Sequence, residues 1–265
     1  MVNFEIIPGS EDSAIVLHVP HSSRYIPQDV RSEILLSDDE LNVELDEITD
    51  TLTDQIAHAA VSKLPPGTPK PWLFINRFSR LVIDPERFPD EREIMNKVGM
   101  GAVYTKSTTG AQLRNPDFDN QKLLNDYFHP YALTFTELIK ERLTSLGKAV
   151  IIDVHSYRAK QHQNAVNHGQ KRPAMCIGTD SFHTPDWLIT EFKKEFEALG
   201  DCFENEPYAG TYVPLDFYGR DKRVASVMME TRADTFLNVD LQPHDGFERI
   251  TGALQRIICA VQDSG

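Results

Sequence analysis

The chain has 265 residues, 40% hydrophobic and 25% charged, with a formal net charge of -13. That is ample for a substantial core in one α/β domain spanning 1–265. It is the wrong sign of charge for wrapping a phosphate backbone, so no nucleic-acid partner is expected. Val2-Asn3-Phe4-Glu5 opens no secretory signal, and no run approaches the ~20 apolar residues of a membrane helix. Cys176, Cys202 and Cys259 are odd in number and lack CxxC spacing, which predicts reduced thiols and a cytoplasmic protein with no membrane partner.

Residues 14–19 read as a buried strand, and Pro20 and Pro27 bracket a loop carrying His21, Ser22, Ser23 and Arg24. Ser37-Asp38-Asp39-Glu40 is a helix start with acidic residues in its first turn. Leu41, Leu45, Ile48, Leu52, Ile56 and Ala60 continue that helix at helical spacing, and Pro65-Pro66-Gly67 closes it. Strands are expected at 72–75 and 81–83, with Arg77 and Arg80 between them and Asp84-Pro85-Glu86-Arg87 after. Residues 88–118 form a long irregular stretch of the kind that carries function. A helix over 119–146 ends at Gly147, placed as a C′ glycine, and a strand follows at 149–154. Residues 158–172 are a polar loop and 174–178 a short strand. Thr184 caps a helix to about residue 199, with Pro185 at its first position. Residues 210–213 precede a turn at 218–220, residues 224–230 form the last core strand, and 243–262 the closing helix. Strands alternating with helices predict an α/β protein.

The chemistry gathers at strand ends. The apolar run 149–154 finishes in Asp153-Val154-His155-Ser156, and the run 14–19 leads to Pro20-His21-Ser22-Ser23. Ligands of open α/β sheets bind beyond the carboxyl ends of the strands, so two strand ends each delivering an imidazole predict a metal site or a His-based acid/base site. His18 lies inside its apolar run and reads as a packed core histidine; His21, past Pro20, is the better ligand. A third, acidic ligand is available from Asp46, Glu47, Asp50 or Asp54; Asp46, Asp50 and Asp54 are spaced to share one helix face, which equally suits a solvated acidic surface. Asp153 shares a strand face with His155 and is placed to hold its second nitrogen, or to serve as a structural hydrogen-bond hub. Glu230 closes an apolar strand; desolvation there raises a carboxyl pKa towards the range of a general base. Arg77, Arg80 and Arg87 form a local basic cluster suited to a substrate carboxylate, or to salt bridges with Asp84, Glu86, Asp90 and Glu91. Ser156 is a further candidate substrate contact.

These residues resemble the N-formylglutamate amidohydrolase family, which belongs with the zinc carboxypeptidase-like hydrolases. The resemblance rests on Pro20-His21-Ser22, Thr49-Asp50 with Asp54, Ser79-Arg80 with Asp84, Tyr127 with Pro130-Tyr131, Asp153-Val154-His155-Ser156, Gly210 with Tyr218-Gly219, and Met229-Glu230, over roughly 14–237. It implies a three-layer α/β/α, phosphorylase/hydrolase-like fold with a mixed central sheet. It also implies one zinc ion held by His21, Asp50 and His155, with Glu230 as general acid/base. Arg80 and Arg87 match positions that stabilise an oxyanion or hold a substrate carboxylate. The implied reaction is hydrolysis of N-formylglutamate to formate and glutamate, a step of histidine breakdown. One position departs: the wider group often carries Asn-Arg where this chain has Glu86-Arg87. A carboxylate facing the pocket there would disfavour an acidic substrate.

The favoured expectation is a zinc-dependent amidohydrolase acting on a small carboxylated N-acyl or N-formyl amino acid. The alternatives are a small-peptide zinc carboxypeptidase, a non-catalytic binder of carboxylated metabolites, and a metal-free Ser-His hydrolase using Ser22 or Ser156. The last lacks a G-x-S-x-G elbow.

Overall fold

The computed structural model describes residues 2–165 and 169–263; positions 166–168 of the expected 158–172 loop lie outside the described residues. Seven strands build one mixed sheet: β1 (Phe4–Ile7), β2 (Ile15–Val19), β3 (Trp72–Asn76), β4 (Ala149–Tyr157), β5 (Met175–Gly178), β6 (Cys202–Glu204) and β7 (Val224–Arg232). Their order is β1-β3-β2-β4-β7-β5-β6. β3, β2, β4 and β7 run parallel, while β1 and β5 pair antiparallel with β3 and β7.

The helices are α1 (Gln28–Arg31), α2 (Asp38–Ile48), α3 (Thr53–Ser62), α4 (Gln121–Leu123), α5 (His129–Leu146), α6 (Asp186–Phe196) and α7 (Asp245–Asp263). The period of two along each strand sorts the core into two layers. Ile15, Leu17, Val150, Ile152, Val227 and Met229 pack under α3, α6 and α7. Val16, Phe74, Ala149 and Ile151 pack under α5, against Tyr131, Phe135, Leu138 and Ile139. The fold is therefore three-layer α/β/α. β2 and β4 bury both faces, which is why they read as unbroken apolar runs.

On the α5 side the apolar rows give way to polar ones toward the strand ends. His18, Asp153 and Met228 stand opposite one another across β2, β4 and β7, and one step further His155 stands opposite Glu230. β2 leads through α2 and α3 to β3 on one side, while β4 lies on its other side. A crevice between two parallel strands whose connections diverge is the usual ligand position in open α/β sheets.

Several expected elements differ. Residues 81–83 are fully buried, yet they form a turn and not a strand. Their backbone is satisfied locally: Leu81 N donates to Ser79 Oγ, Val82 N to the Ser79 carbonyl, and buried Arg114 donates to the Leu81 carbonyl. The helix expected through Leu41 to Ala60 breaks in two at 49–52, where Thr49 is extended and Leu52 adopts φ 65°. The helix expected from 119 begins at Gln121, and Leu124–Phe128 is π-helical before α5 starts at His129. Thr184 does not cap α6; Pro185 holds the N-cap position, and the Thr184 hydroxyl donates to the Ser226 carbonyl. β1 and β6, of four and three residues, are edge strands that the sequence reading did not anticipate.

Candidate active site

The break between α2 and α3 positions the acidic residue nearest both imidazoles. Asp50 N donates to the His21 carbonyl at 3.0 Å, which docks the break onto the loop after β2. Asp50 Oδ2 then accepts from Ser156 N at 3.2 Å at the end of β4 and lies 3.0 Å from His155 Nδ1 and 3.7 Å from His21 Nδ1. The two Nδ1 atoms are 3.3 Å apart. All three side chains are buried. Asp46, Glu47 and Asp54 go elsewhere: Asp46 pairs with Arg24, Glu47 faces Arg158, and Asp54 binds Arg77. The shared helix face expected of Asp46, Asp50 and Asp54 does not form, because the helix is interrupted at Asp50.

The far nitrogens fix the tautomers. A carboxylate only accepts, so a ring nitrogen facing one carries the proton. His21 Nε2 donates to Asp84 Oδ1 at 2.9 Å. His155 Nε2 faces Asp153 Oδ1 at 3.1 Å and Glu86 Oε1 at 3.2 Å. Both Nδ1 edges therefore point inward at Asp50. Two imidazoliums cannot meet N–H to N–H at 3.3 Å, so this edge carries at most one proton. Burial would depress the His155 pKa, but Glu86, Asp153 and Asp50 hold it well above the usual imidazole value. Burial and Arg80 oppose the same rise at His21, and Asp84 and Asp50 outweigh them. Burial likewise works to raise the Asp50 pKa, yet the two imidazoles hold it low.

A divalent cation fits this donor set. Zinc bound by imidazole and carboxylate at about 2.0–2.1 Å sets tetrahedral donors about 3.3–3.4 Å apart. The three distances of 3.0, 3.3 and 3.7 Å straddle that spacing. Ligating histidines commonly donate their other nitrogen to a carboxylate, as His21 does to Asp84 and His155 to Glu86, with Asp153 Oδ1 3.1 Å from the same His155 nitrogen. Among the described residues, the same three form one of three acidic and imidazole groupings close enough to share an ion; the others are His18, Glu86 and Asp153, and His21, Asp84 and Glu86. In the first of these, His18 Nδ1 already donates to Asp153 Oδ1 at 2.8 Å, and its Nε2 accepts from Tyr131 Oη at 2.5 Å. His18 is thus a buried, fully hydrogen-bonded histidine, and Asp153 serves both it and His155.

The other expected residues divide. Glu230 lines the same cavity as His155, and its Oε2 is buried without a hydrogen-bond partner among the described residues. Burial pushes its pKa up to about 8; His155 and Arg80 pull it down, Asp50 and Glu86 push it further up. Arg80 lines the cavity too, with Nη1 4.0 Å from Asp50 Oδ1, but its fork is held by Asp84 at 2.6 and 3.1 Å. Arg87 also lines the cavity; its Nε is buried 3.6 Å from Asp84 Oδ2, with no hydrogen-bond partner among the described residues. Ser156 is a cavity residue through its strand-end position. Arg77 is not. Its guanidinium is spent on Glu5 at 2.6 Å and Asp54 at 3.0 Å, away from the cavity lining, which corrects the expected substrate contact.

Two residues matter more than their sequence context suggested. Asp84, fully buried, gathers His21, Arg80 and the Tyr104 hydroxyl around one carboxylate. Burial raises its pKa, and Arg80 with His21 reverses that and holds it well below the usual carboxylate range. Glu86 does face the cavity, within 3.6 Å of three imidazoles. Salt-bridge spacing hinted at Asp84; nothing in the sequence showed that the loop after 83 folds back over both histidines.

His21, Asp50, Glu86, Asp153, His155 and Glu230 line one cavity of about 1150 Å³. A sequence model of the N-formylglutamate amidohydrolase family matches residues 13–237. No curated protein matches the chain. Among solved structures, a crystal structure described as N-formylglutamate amidohydrolase from Ralstonia eutropha JMP134 superposes with a TM-score of 0.81 at 18% identity, covering 100% of this chain and 98% of that one. A gene product from Agrobacterium tumefaciens superposes at 0.70 with 22% identity, covering 100% and 96%. At these identities the two structures show a shared fold, and the family match carries the affiliation: the chain belongs to the N-formylglutamate amidohydrolase family.

Proposed function

We propose that this chain is a zinc-dependent amidohydrolase that cleaves the amide or formamide bond of a small N-acyl or N-formyl amino acid, with N-formylglutamate the substrate its family is named for. The convergence of His21 Nδ1, His155 Nδ1 and Asp50 Oδ2 on one buried point carries this reading. Those three residues would hold the ion, which when bound supplies Lewis acidity and lowers the pKa of water.

The chain's own groups do the rest. Glu230, desolvated beside His155, takes the proton of the attacking water on a carboxylate oxygen and returns it to the leaving nitrogen. Arg80, held rigid by Asp84, places positive charge where the carbonyl oxygen gains negative charge. Arg87, whose side chain lines the cavity, pairs with the substrate carboxylate, and Ser156 lines the approach. Asp84 fixes the ring orientation of His21, and Glu86 with Asp153 that of His155. One sheet with both faces covered supports reading 1–265 as a single domain. No described helix is long and apolar enough to cross a membrane.

The test is hydrolysis. Zinc-loaded protein should release formate or a free amine from at least one compound in a panel of N-formyl and N-acetyl amino acids. Absence of turnover across the panel, with zinc bound, would favour the non-catalytic binder.

A further inference from the structure

A small N-formyl amino acid fills only part of a cavity of about 1150 Å³, a volume at the upper end for drug-sized ligands. The unused part has an apolar wall. Ten large apolar side chains are exposed among the described residues, and four of them line this one cavity: Ile94, Leu133, Leu215 and Tyr218. They come from three separate segments: the loop after β3, helix α5 and the loop before β7. Phe88 and Tyr218 meet edge-to-face at 6.3 Å and join two of those segments. Scattered exposed apolar residues need no explanation, but their convergence on one mouth marks a binding surface. The π-helical turn Leu124–Phe128 abuts the same wall through Phe128, and such turns recur at functional sites.

The charges beside this wall disfavour a second carboxylate. Glu86, the chain neighbour of Arg87, puts a carboxylate into the cavity; its partners are the imidazoles of His18, His21 and His155, and no described lysine or arginine pairs with it. Arg80 is held by Asp84, and Arg77 is turned away. On the other side Arg172 stacks on Tyr157 and Tyr208, and Arg158 faces Glu47 at 3.8 Å; Lys160 is the freer cation there.

We propose that the wall formed by Phe88, Ile94, Leu133, Leu215 and Tyr218 is a side-chain subsite. The chain then prefers N-formyl or N-acyl amino acids with a large apolar side chain over N-formylglutamate. This rests on the amidohydrolase reading. The substrate's single carboxylate meets Arg87, its side chain lies along the apolar wall, and Glu86 repels an acidic side chain.

The test compares kcat/KM for N-formyl-L-phenylalanine, N-formyl-L-leucine and N-formyl-L-glutamate on the zinc-loaded protein. The two apolar compounds should lead by about tenfold or more, as filling an apolar pocket allows. Leu133→Lys should shrink that lead by raising KM for the apolar compounds. Glu86→Gln should shrink it by improving the glutamate compound. A lead for N-formyl-L-glutamate, or a ratio unmoved by both variants, overturns the subsite. If no compound is hydrolysed, the amidohydrolase reading fails by itself. Calorimetry of the same compounds on zinc-loaded Glu230→Gln protein then still decides the subsite: tighter binding of the apolar compounds upholds it, and equal or weaker binding overturns it.

Discussion

Glu230, the proposed general base, carries a stability cost set by its burial. Its pKa is about 8 in the folded chain against 4.5 as a free side chain. Between those values the unfolded state is ionised while the folded state keeps its proton, so stability falls as pH rises through the window. Glu230→Gln removes that loss. In chelator-treated protein, urea unfolding should show the variant equal to the parent at pH 4.5 and more stable by on the order of a few kcal/mol at pH 8. Its kcat should fall about 10²–10⁴-fold, the usual share of a general base. A variant no more stable at pH 8 would show that Glu230 is not desolvated as described. Asp84→Asn tests a different contact. His21 loses its charged partner, and zinc affinity measured by chelator competition should drop about 10–100-fold. At this scale the sequence was informative where a side chain rides on a strand: His155 and Glu230 follow from apolar runs ending abruptly in polar residues. Asp84 and Glu86 were singled out, but their contacts with the imidazoles were not legible, because those partners lie across a loop fold that no local periodicity encodes.

The elements place these residues through their interruptions. α2 starts with a capping box in which Ser37 accepts from Glu40 N and Glu40 returns the bond to Ser37. It carries Glu44, whose buried carboxylate accepts from Thr108 N and Oγ at 2.8 and 2.6 Å and so ties the 105–111 loop to the helix. It ends at the break that delivers Asp50. Ser37→Ala should cost about 1 kcal/mol in chemical denaturation while leaving zinc stoichiometry unchanged. A loss of bound zinc in that variant would mean the cap governs the site rather than the helix alone. The cap was legible from Ser37-Asp38-Asp39-Glu40; the break was not, since Leu41 through Ala60 keep helical spacing across it. What interrupts the helix is tertiary: Asp50 N finds the His21 carbonyl, and Leu52 accepts a left-handed backbone. The apolar stretch 81–83 misled for a related reason. Burial called for apolar residues, but Ser79 and Arg114 satisfied the backbone that a strand would have paired. β1 escaped notice because four half-exposed residues on a sheet edge carry little pattern.

Over the whole molecule the balance is acidic at -13, and four of its carboxylates meet around three imidazoles. Asp50, Asp84, Glu86 and Asp153 crowd around His18, His21 and His155, most of them buried. Buried charges of one sign need compensation, and here protons on imidazoles and the Arg80 guanidinium provide part of it. A bound divalent ion would replace such protons, so zinc should stabilise the fold, by about 2.7 kcal/mol at a hundredfold excess over its Kd. The layered α/β architecture that brings these groups together was legible as alternating strands and helices, whereas the strand order and the antiparallel pairing of β1 and β5 were not. The most direct test is metal content by elemental analysis of the purified chain beside His21→Ala, Asp50→Ala and His155→Ala variants, with Asp46→Ala as control. One zinc per chain in the parent and the control, and little in the other three, is the predicted result. Zinc absent from the parent after reloading, or retained by His155→Ala, would contradict it.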